Sequence, residues 1–293
     1  MCAVFSRIAR IAAPVAIIVA AAGVIATASG AHRAHAAHAR ATIAGCQPQL
    51  RVIAHGQGSP DDLAWDGRKL LAGDLAKGTI AVIAHGHAQT IASHFAAPEG
   101  IVPGPGGSLI VAAQKTNSIV EQPLPTGARQ TLAKLPLPHG GEGVDGINAD
   151  GANAIFVPDS ARGRLYSLTL SSRKLTLIAS GMTRPVAAIR WQGAIVVADE
   201  YANAIWRIAG NQRTSLGTVP VPDDLAVISH HLISSSLLGG VWEVAPHLRK
   251  LTDAFAPASS DPQGLVADGP DALVVSDQSR NTIYRLSNLA GCL

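Results

Sequence analysis

Six times along this chain the same short pattern recurs, and no other feature limits the fold as tightly. Each copy opens on Pro, or Val once, passes a mostly polar residue and a small or acidic one, and continues as a short apolar strand. The copies begin at Pro60, Pro98, Val144, Pro185, Pro222 and Pro262, about forty residues apart. A turn-forming position follows each start by 14 or 15 residues, at Asp74, Ala113, Asp159, Asp199, Ser236 and Asp277. That interval is too short to hold a helix. Repeats of about 40 to 50 residues built from short strands indicate a propeller.

The third copy shows the strands of one unit most clearly. Gly146 to Ala149 begins an inner strand, Ala154 to Val157 a second, Arg164 to Leu170 a third and Lys174 to Ala179 an outer one. Apolar and polar residues alternate from Arg164 to Leu170, the period of a strand with one buried face. The expectation is all-β: six four-stranded blades around an axis. The last copy supplies only three strands before Leu293, but Leu50 through Pro60 aligns without a gap on Leu175 through Pro185. The amino-terminal strand is therefore expected to serve as the outer strand of the last blade, closing the ring and removing open sheet edges.

The first 45 residues differ in kind. Arg7 and Arg10 precede an alanine-rich apolar run from Ile11 to Ala28, the layout of an export signal over residues 1–28 or, uncleaved, of an anchor. Residues 29–45, with His32, His35 and His38 among Ala and Arg, read as a disordered linker. The propeller is assigned to residues 46–293 and to an extracytoplasmic location, touching a membrane only through an uncleaved leading segment. Of three cysteines, Cys2 belongs to the signal, while Cys46 and Cys292 bracket the repeats and read as a disulfide in an exported protein. Ile43, Ala44, Gly45 and Cys46 also match a lipid-attachment box, although about 17 residues separate them from the apolar run that should abut it.

A formal charge of +3 without a basic run, and only 4% aromatic residues, leave nucleic-acid binding unsupported. The position after the opening residue reads Asp61, Glu99, Asp145, Val186, Asp223 and Gln263. In a propeller these side chains converge at the channel. Like charges about 4 Å apart repel by roughly 4 kcal/mol at an effective dielectric of 20, so such a ring calls for a cation, protons or water. Asp61, Glu99, Asp145 and Asp223 are the candidate metal ligands, with the amide oxygen of Gln263 beside them. The ion this donor set suits is divalent, with calcium ahead of magnesium or manganese. The competing reading makes these acids turn caps that accept backbone N–H bonds. Asp74, Asp159, Asp199 and Asp277 each end a strand and are read as such caps.

His55, His94 and His139 lie in the connectors leading to the first three blades, with Arg184 in the fourth. They are expected, with Gln263, to surround a ligand at the channel mouth. The longest connector, Leu135 to Gly143, is glycine-rich and suited to shaping a site, and His139 or Glu142 on it is the candidate base. His85 and His87 are expected to be exposed in a hairpin turn. The chain has no Gly-x-Ser-x-Gly, His-Glu-x-x-His or phosphate loop, and no Cys pair at zinc spacing.

Stretches such as VDGINADGANAIFVPDSARGRLYSL and DPQGLVADGPDALVVSDQSRNTIYRL resemble six-bladed propellers of the senescence-marker-protein/gluconolactonase family and NHL-repeat proteins, over Leu50 to Leu293. The lactonase branch implies an axial divalent metal held by a Glu, Asn residues and an Asp, and lactone hydrolysis. By position those ligands fall among Asp61, Glu99, Asp145 and Asp223. The family's Asn-Gly is Asp145-Gly146 here, its Pro-Asp-Gly is Pro222-Asp223-Asp224, and its early Glu-x-Pro is missing. Two functions stay open on sequence alone. The first is a non-catalytic exported propeller that binds a small molecule or extracytoplasmic protein at its channel face, preferred because a fold does not confer activity. The alternative is a metal-dependent lactonase or esterase acting on a small molecule.

Overall fold

The structure, a computed structural model, describes residues 47–252, 254–255 and 260–293. The stretches read as an export signal, a linker and a lipid-attachment box, together with Cys46, lie outside the described residues. Among those residues no helix is long and apolar enough to cross a membrane.

Six antiparallel four-stranded sheets form the ring. The inner strands of blades I to VI are Pro60–Asp66, Pro98–Pro103, Asn148–Ala149, Pro185–Trp191, Pro222–Ile228 and Pro262–Ala267. The second strands end at Asp74, Ala113, Asp159, Asp199, Ser236 and Asp277, the turn positions read from the repeat. Gln49–His55 pairs antiparallel with Thr282–Ser287, from Gln49 opposite Ser287 to His55 opposite Thr282. The amino-terminal strand thus completes blade VI and covers the outer edge of Thr282–Ser287.

The register carries a repeat that the sequence pattern does not display. In every outer strand one apolar residue is skipped by the pairing: Ile91, Leu132, Ile178, Leu216, Leu251 and, in the closing strand, Ile53. A bulge of this kind bends a strand and increases its twist. Ile53 and Ile178 coincide in the gap-free alignment of Leu50 with Leu175, so the closing strand is built to the same plan as the others.

Apolar side chains fall into six clusters, one at each blade interface. Ile110, Ile119, Ile147, Ile155 and Leu168 join blades II and III, for example, and Leu63, Leu70, Val274 and Ile283 join blades VI and I across the seam. Near the axis the crowding is too great for most side chains. A Cβ on Gly100 would stand 2.5 Å from the backbone nitrogen of Ile147, and one on Gly264 would stand 2.5 Å from the carbonyl oxygen of Asp61. Glycine at these two positions is what lets neighbouring inner strands meet.

Three of the four strand-end acids behave as turn caps; the fourth, Asp159, does not, its buried carboxylate accepting no backbone N–H among the described residues and standing 3.6 Å from the Arg162 guanidinium. Asp74 accepts from the backbone of Ser59 and Lys77, Asp199 from Thr183 and Arg184, and Asp277 from Asp261 and Arg280. Each holds the last residues of the incoming connector against its own blade. His85 and His87 are exposed, with His85 in the left-handed region of a tight turn.

Two measurements follow from this architecture. Gly264→Ala should cost about 1–3 kcal/mol by overpacking the axis, visible as a lower melting temperature, whereas wild-type stability would show that the strands can part there. Asn288 donates to the carbonyl of Gln47 at 2.9 Å, bringing the residue after Cys46 to the turn that carries the buried Cys292. Denatured, unreduced protein lacking residues 1–28 should therefore show no reactive thiol. Two titratable thiols would rule out the pairing, which closes a loop of 246 residues worth at most about 5 kcal/mol in the chain-entropy view.

Candidate functional site

The inner strands begin at one end of the channel, and the irregular pairing at their first residues turns side chains toward the axis. In blade I the pairing jumps from Pro60 to Leu63, and in blade V from Pro222 to Leu225. Asp61 and Asp62, and likewise Asp223 and Asp224, are thereby freed from regular strand alternation. Asp61, Glu99, Asp145 and Asp223 are all buried, between 4% and 8% exposed, and line both a mouth cavity of 240 Å³ and a small inner cavity beneath it. They form the constriction between the two.

The second acids, Asp62 and Asp224, serve a different purpose. Asp62 accepts from the backbone of Leu63 at 2.7 Å and of Ile101 in blade II at 2.6 Å. Asp224 accepts from Leu225 and from Leu265 in blade VI, both at 2.7 Å. Each bridges to the residue that follows one of the two crowded glycines, Gly100 and Gly264, and so ties its blade to the inner strand of the next. With both oxygens engaged they are structural. Ser235 and Ser276 add a second set of bridges, the hydroxyl of Ser276 donating to the carbonyl of Asp61.

The ring acids are less well satisfied. Asp61 accepts from Gln278 Nε2 at 2.7 Å, and its pKa is raised by burial and then by the neighbouring Glu99 carboxyl. Asp145 accepts from the backbone of Gly146 at 3.0 Å and from Arg184 at 2.8 Å. Asp223 receives no hydrogen bond from any described residue although it is 8% exposed. Burial, then repulsion among the acids, pushes Asp61 and Asp223 well above the usual carboxylate range. Burial above all raises Glu99 to about 8 and Asp224 to about 7. Asp145 is also raised by burial, opposed by Arg184.

Blade IV breaks the acidic ring with Val186. That sector is filled by Arg184, two residues earlier, whose guanidinium pairs with Asp145 at 2.8 Å, Glu142 at 3.0 Å and Glu200 and stands 5.3 Å from the Tyr201 ring centre. Tyr201 donates to Glu142 at 3.3 Å. The long connector of blade III thus delivers Glu142 to the mouth, whose lining also includes Gln114, Glu200, Gln263 and Gln278. Blades II to IV make its charged side. Leu75 of blade I and Leu237 of blade V make an apolar side, with uncharged Gln263 and Gln278 of blade VI between them.

Of the residues expected at the mouth, Asp61, Glu99, Asp145, Asp223, Glu142, Arg184 and Gln263 come together. His55, His94 and His139 do not line it: all three are exposed, His55 faces Thr282 at 2.9 Å and His94 faces Ser93 at 2.8 Å. This corrects the expectation that the connector residues share one rim. A connector starts at the outer strand and travels inward, so only its last residues reach the axis. Arg184 immediately precedes Pro185, whereas the histidines stand four or five residues before their blades begin. Sequence reasoning missed Glu200, Gln114, Gln278, Leu75 and Leu237, which share one signal: each directly follows the turn position of its repeat. It also missed Asp62 and Asp224, whose signal is the repeated Asp-Asp-Leu.

An ion at this hub is testable against the donors present. Oxygen donors only, four buried ring carboxylates against one guanidinium, and Asp223 aimed into both cavities without a hydrogen bond all fit a hard divalent cation. Among the described residues no three ligating side chains are already drawn around one point; Asp145 is held by Arg184 and Asp61 by Gln278. The fit is one of charge and donor chemistry.

No protein-family model matches the chain, and no curated protein matches it. Solved structures do. A gluconolactonase from Xanthomonas campestris is 16% identical, covering 85% of this chain and 93% of that one at a TM-score of 0.67. A luciferin-regenerating enzyme is 14% identical, covering 83% and 96% at 0.69. Virginiamycin B lyase from Staphylococcus aureus is 15% identical, covering 82% and 99% at 0.64. At these identities the likeness establishes the six-bladed fold.

The raised acids give a pH dependence whose sign is fixed. Between about pH 5 and 7 the unfolded chain has released the protons of Glu99 and Asp224, ordinarily lost near 4.5 and 3.8, while the folded hub retains them up to about 8 and 7. Stability is full below the unfolded values and falls as pH rises through the folded ones. In the presence of a chelator, the melting temperature should drop from pH 5 to pH 8. A rise over that range would contradict this electrostatic picture.

Proposed function

We propose that this propeller hydrolyses a small, uncharged ester or lactone at its channel mouth with the help of a divalent cation. The observation that carries the reading is the set of four buried ring carboxylates, one of them without a hydrogen bond, at the floor of a cavity of substrate size. A purely binding surface gives no reason to gather four like-charged groups in this way, since burial and mutual repulsion disfavour the ionised form of each. The solved neighbours, among them a gluconolactonase and a lyase, favour catalysis over the non-catalytic reading preferred from sequence.

Asp61, Glu99, Asp145 and Asp223, with the amide oxygen of Gln263, would hold the ion, calcium being the best match to an all-oxygen set. When bound, it would polarise the substrate carbonyl and make water more acidic. Glu142 is the proton-transferring group, because Arg184 and Tyr201 orient its carboxylate at the rim. It takes a proton from water as the water oxygen bonds to the acyl carbon. The acyl C–O bond breaks, and the proton passes to the leaving alkoxide oxygen. His139, the other candidate base, lies outside the cavity lining.

The mouth's two sides define the substrate class. Leu75 and Leu237 offer an apolar wall to the carbon skeleton, while the acidic floor disfavours an anionic substrate and repels the carboxylate product. A panel of neutral lactones and esters, assayed with calcium, magnesium and manganese in turn, should contain at least one substrate, with activity lost to a chelator. Glu142→Gln should lower kcat by about 10²–10⁴ with the melting temperature little changed. No turnover of any compound with any of the three ions would end this reading.

A further inference from the structure

Blade IV is the one place where the sixfold pattern puts an aliphatic residue, Val186, at the hub position, and the side chain that takes over that sector is a cation. Arg184 is 9% exposed. Its backbone is fixed at both ends: its N–H donates to Asp199 Oδ1 at 2.8 Å, and its carbonyl accepts from the N–H of Glu200 at 2.9 Å. Only the side chain is left to move. One nitrogen, Nη2, lies between Asp145 at 2.8 Å and Glu142 at 3.0 Å, while Nη1 meets Glu200. Nε is buried without a hydrogen-bond partner among the described residues.

The guanidinium therefore straddles two sets of acids. Asp145 belongs to the ring at the channel floor, whereas Glu142 and Glu200 belong to the mouth above it. A guanidinium does not lose its proton in a protein, so this charge is permanent and its local concentration is set by the tether. We propose that Arg184 is a tethered cation filling the sector that lacks a sixth hub ligand, and that it competes with a divalent ion for Asp145. This rests on the hub-cation part of the function proposed above. An incoming ion recruits Asp145 only as Arg184 withdraws toward Glu142 and Glu200, which are positioned to receive it. The hub's affinity for an ion is then set by a partition of Arg184 between floor and rim.

Competition gives the substitutions opposite signs, which a merely structural arginine would not. Calcium is titrated calorimetrically into chelator-treated protein, with manganese as a second probe. Arg184→Gln removes the competitor and should tighten binding about tenfold or more, one decade being 1.4 kcal/mol. Arg184→Lys keeps the charge and should stay nearer the wild type. Glu200→Gln removes a rim acceptor, throws Arg184 more fully onto Asp145, and should weaken binding several-fold. This second variant decides the matter even if Arg184→Gln does not fold.

Unchanged or weaker binding in Arg184→Gln, or tighter binding in Glu200→Gln, overturns the proposal. If neither the wild type nor any folded variant binds calcium or manganese, the tethered-cation idea and the hub ion fall together, whereas turnover in the lactone and ester panel tests hydrolysis separately. If the wild type binds an ion and the Arg184 variants follow it without change, the hub ion stands and only the competition fails.

Discussion

The pairing of Gln49–His55 with Thr282–Ser287 is the constraint on which the rest depends. Each blade buries its faces only against its neighbours, and the cluster containing Leu63, Leu70, Val274 and Ile283 exists only because the first and last blades are brought together. A ring that failed to close would expose that surface along with two unpaired strand edges. Closure also imposes convergence. Six inner strands meeting at one axis leave so little room that glycine is required where Gly100 faces Ile147 and Gly264 faces Asp61.

Convergence in turn creates the electrostatic problem at the hub, and the chain resolves it differently for two adjacent positions of one repeat. Asp62 and Asp224 each reach two backbone N–H groups, one in the next blade, and so become interblade fasteners. Asp61 and Asp223, one residue earlier, look into the cavities and find mainly other acids. The same side chain is structural or chemically poised according to how many donors its position can reach. Desolvation favours protonation in both sets, but only the ring acids also line the mouth cavity, into which a cation or substrate can enter.

Charge is also distributed unevenly around the mouth. Arg184, Glu142, Glu200 and Tyr201 gather on the side of blades III and IV, and Leu75 and Leu237 flank the uncharged glutamines opposite. Asp199, an apparently routine turn cap, holds the backbone of Arg184 in place. A residue whose local task is to finish a turn thus sets the position of the only guanidinium in the mouth lining. The lopsidedness departs from sixfold symmetry at Val186, and a pseudo-symmetric scaffold becomes a site with a defined orientation.

Much of this was written in the chain itself. The six starts, the six turn positions, the closing strand and the convergence of Asp61, Glu99, Asp145 and Asp223 follow from periodicity, because a repeat that cannot bury its faces alone must stack on its neighbours at constant spacing. What periodicity does not specify is the distance of a side chain from the axis within an irregular segment. His55, His94 and His139 occupy connectors as Arg184 does, yet only Arg184 stands at the inner end. The ring formed by Gln114, Glu200, Gln278, Leu75 and Leu237 was hidden for the same reason: whether the residue after a turn faces the channel depends on how the blade is tilted in the closed ring. Local sequence determined the blades and their hub residues through strand alternation and turn chemistry. Only the tertiary structure decided which charges meet, because that is fixed by radius and tilt, and both arise from packing all six blades together.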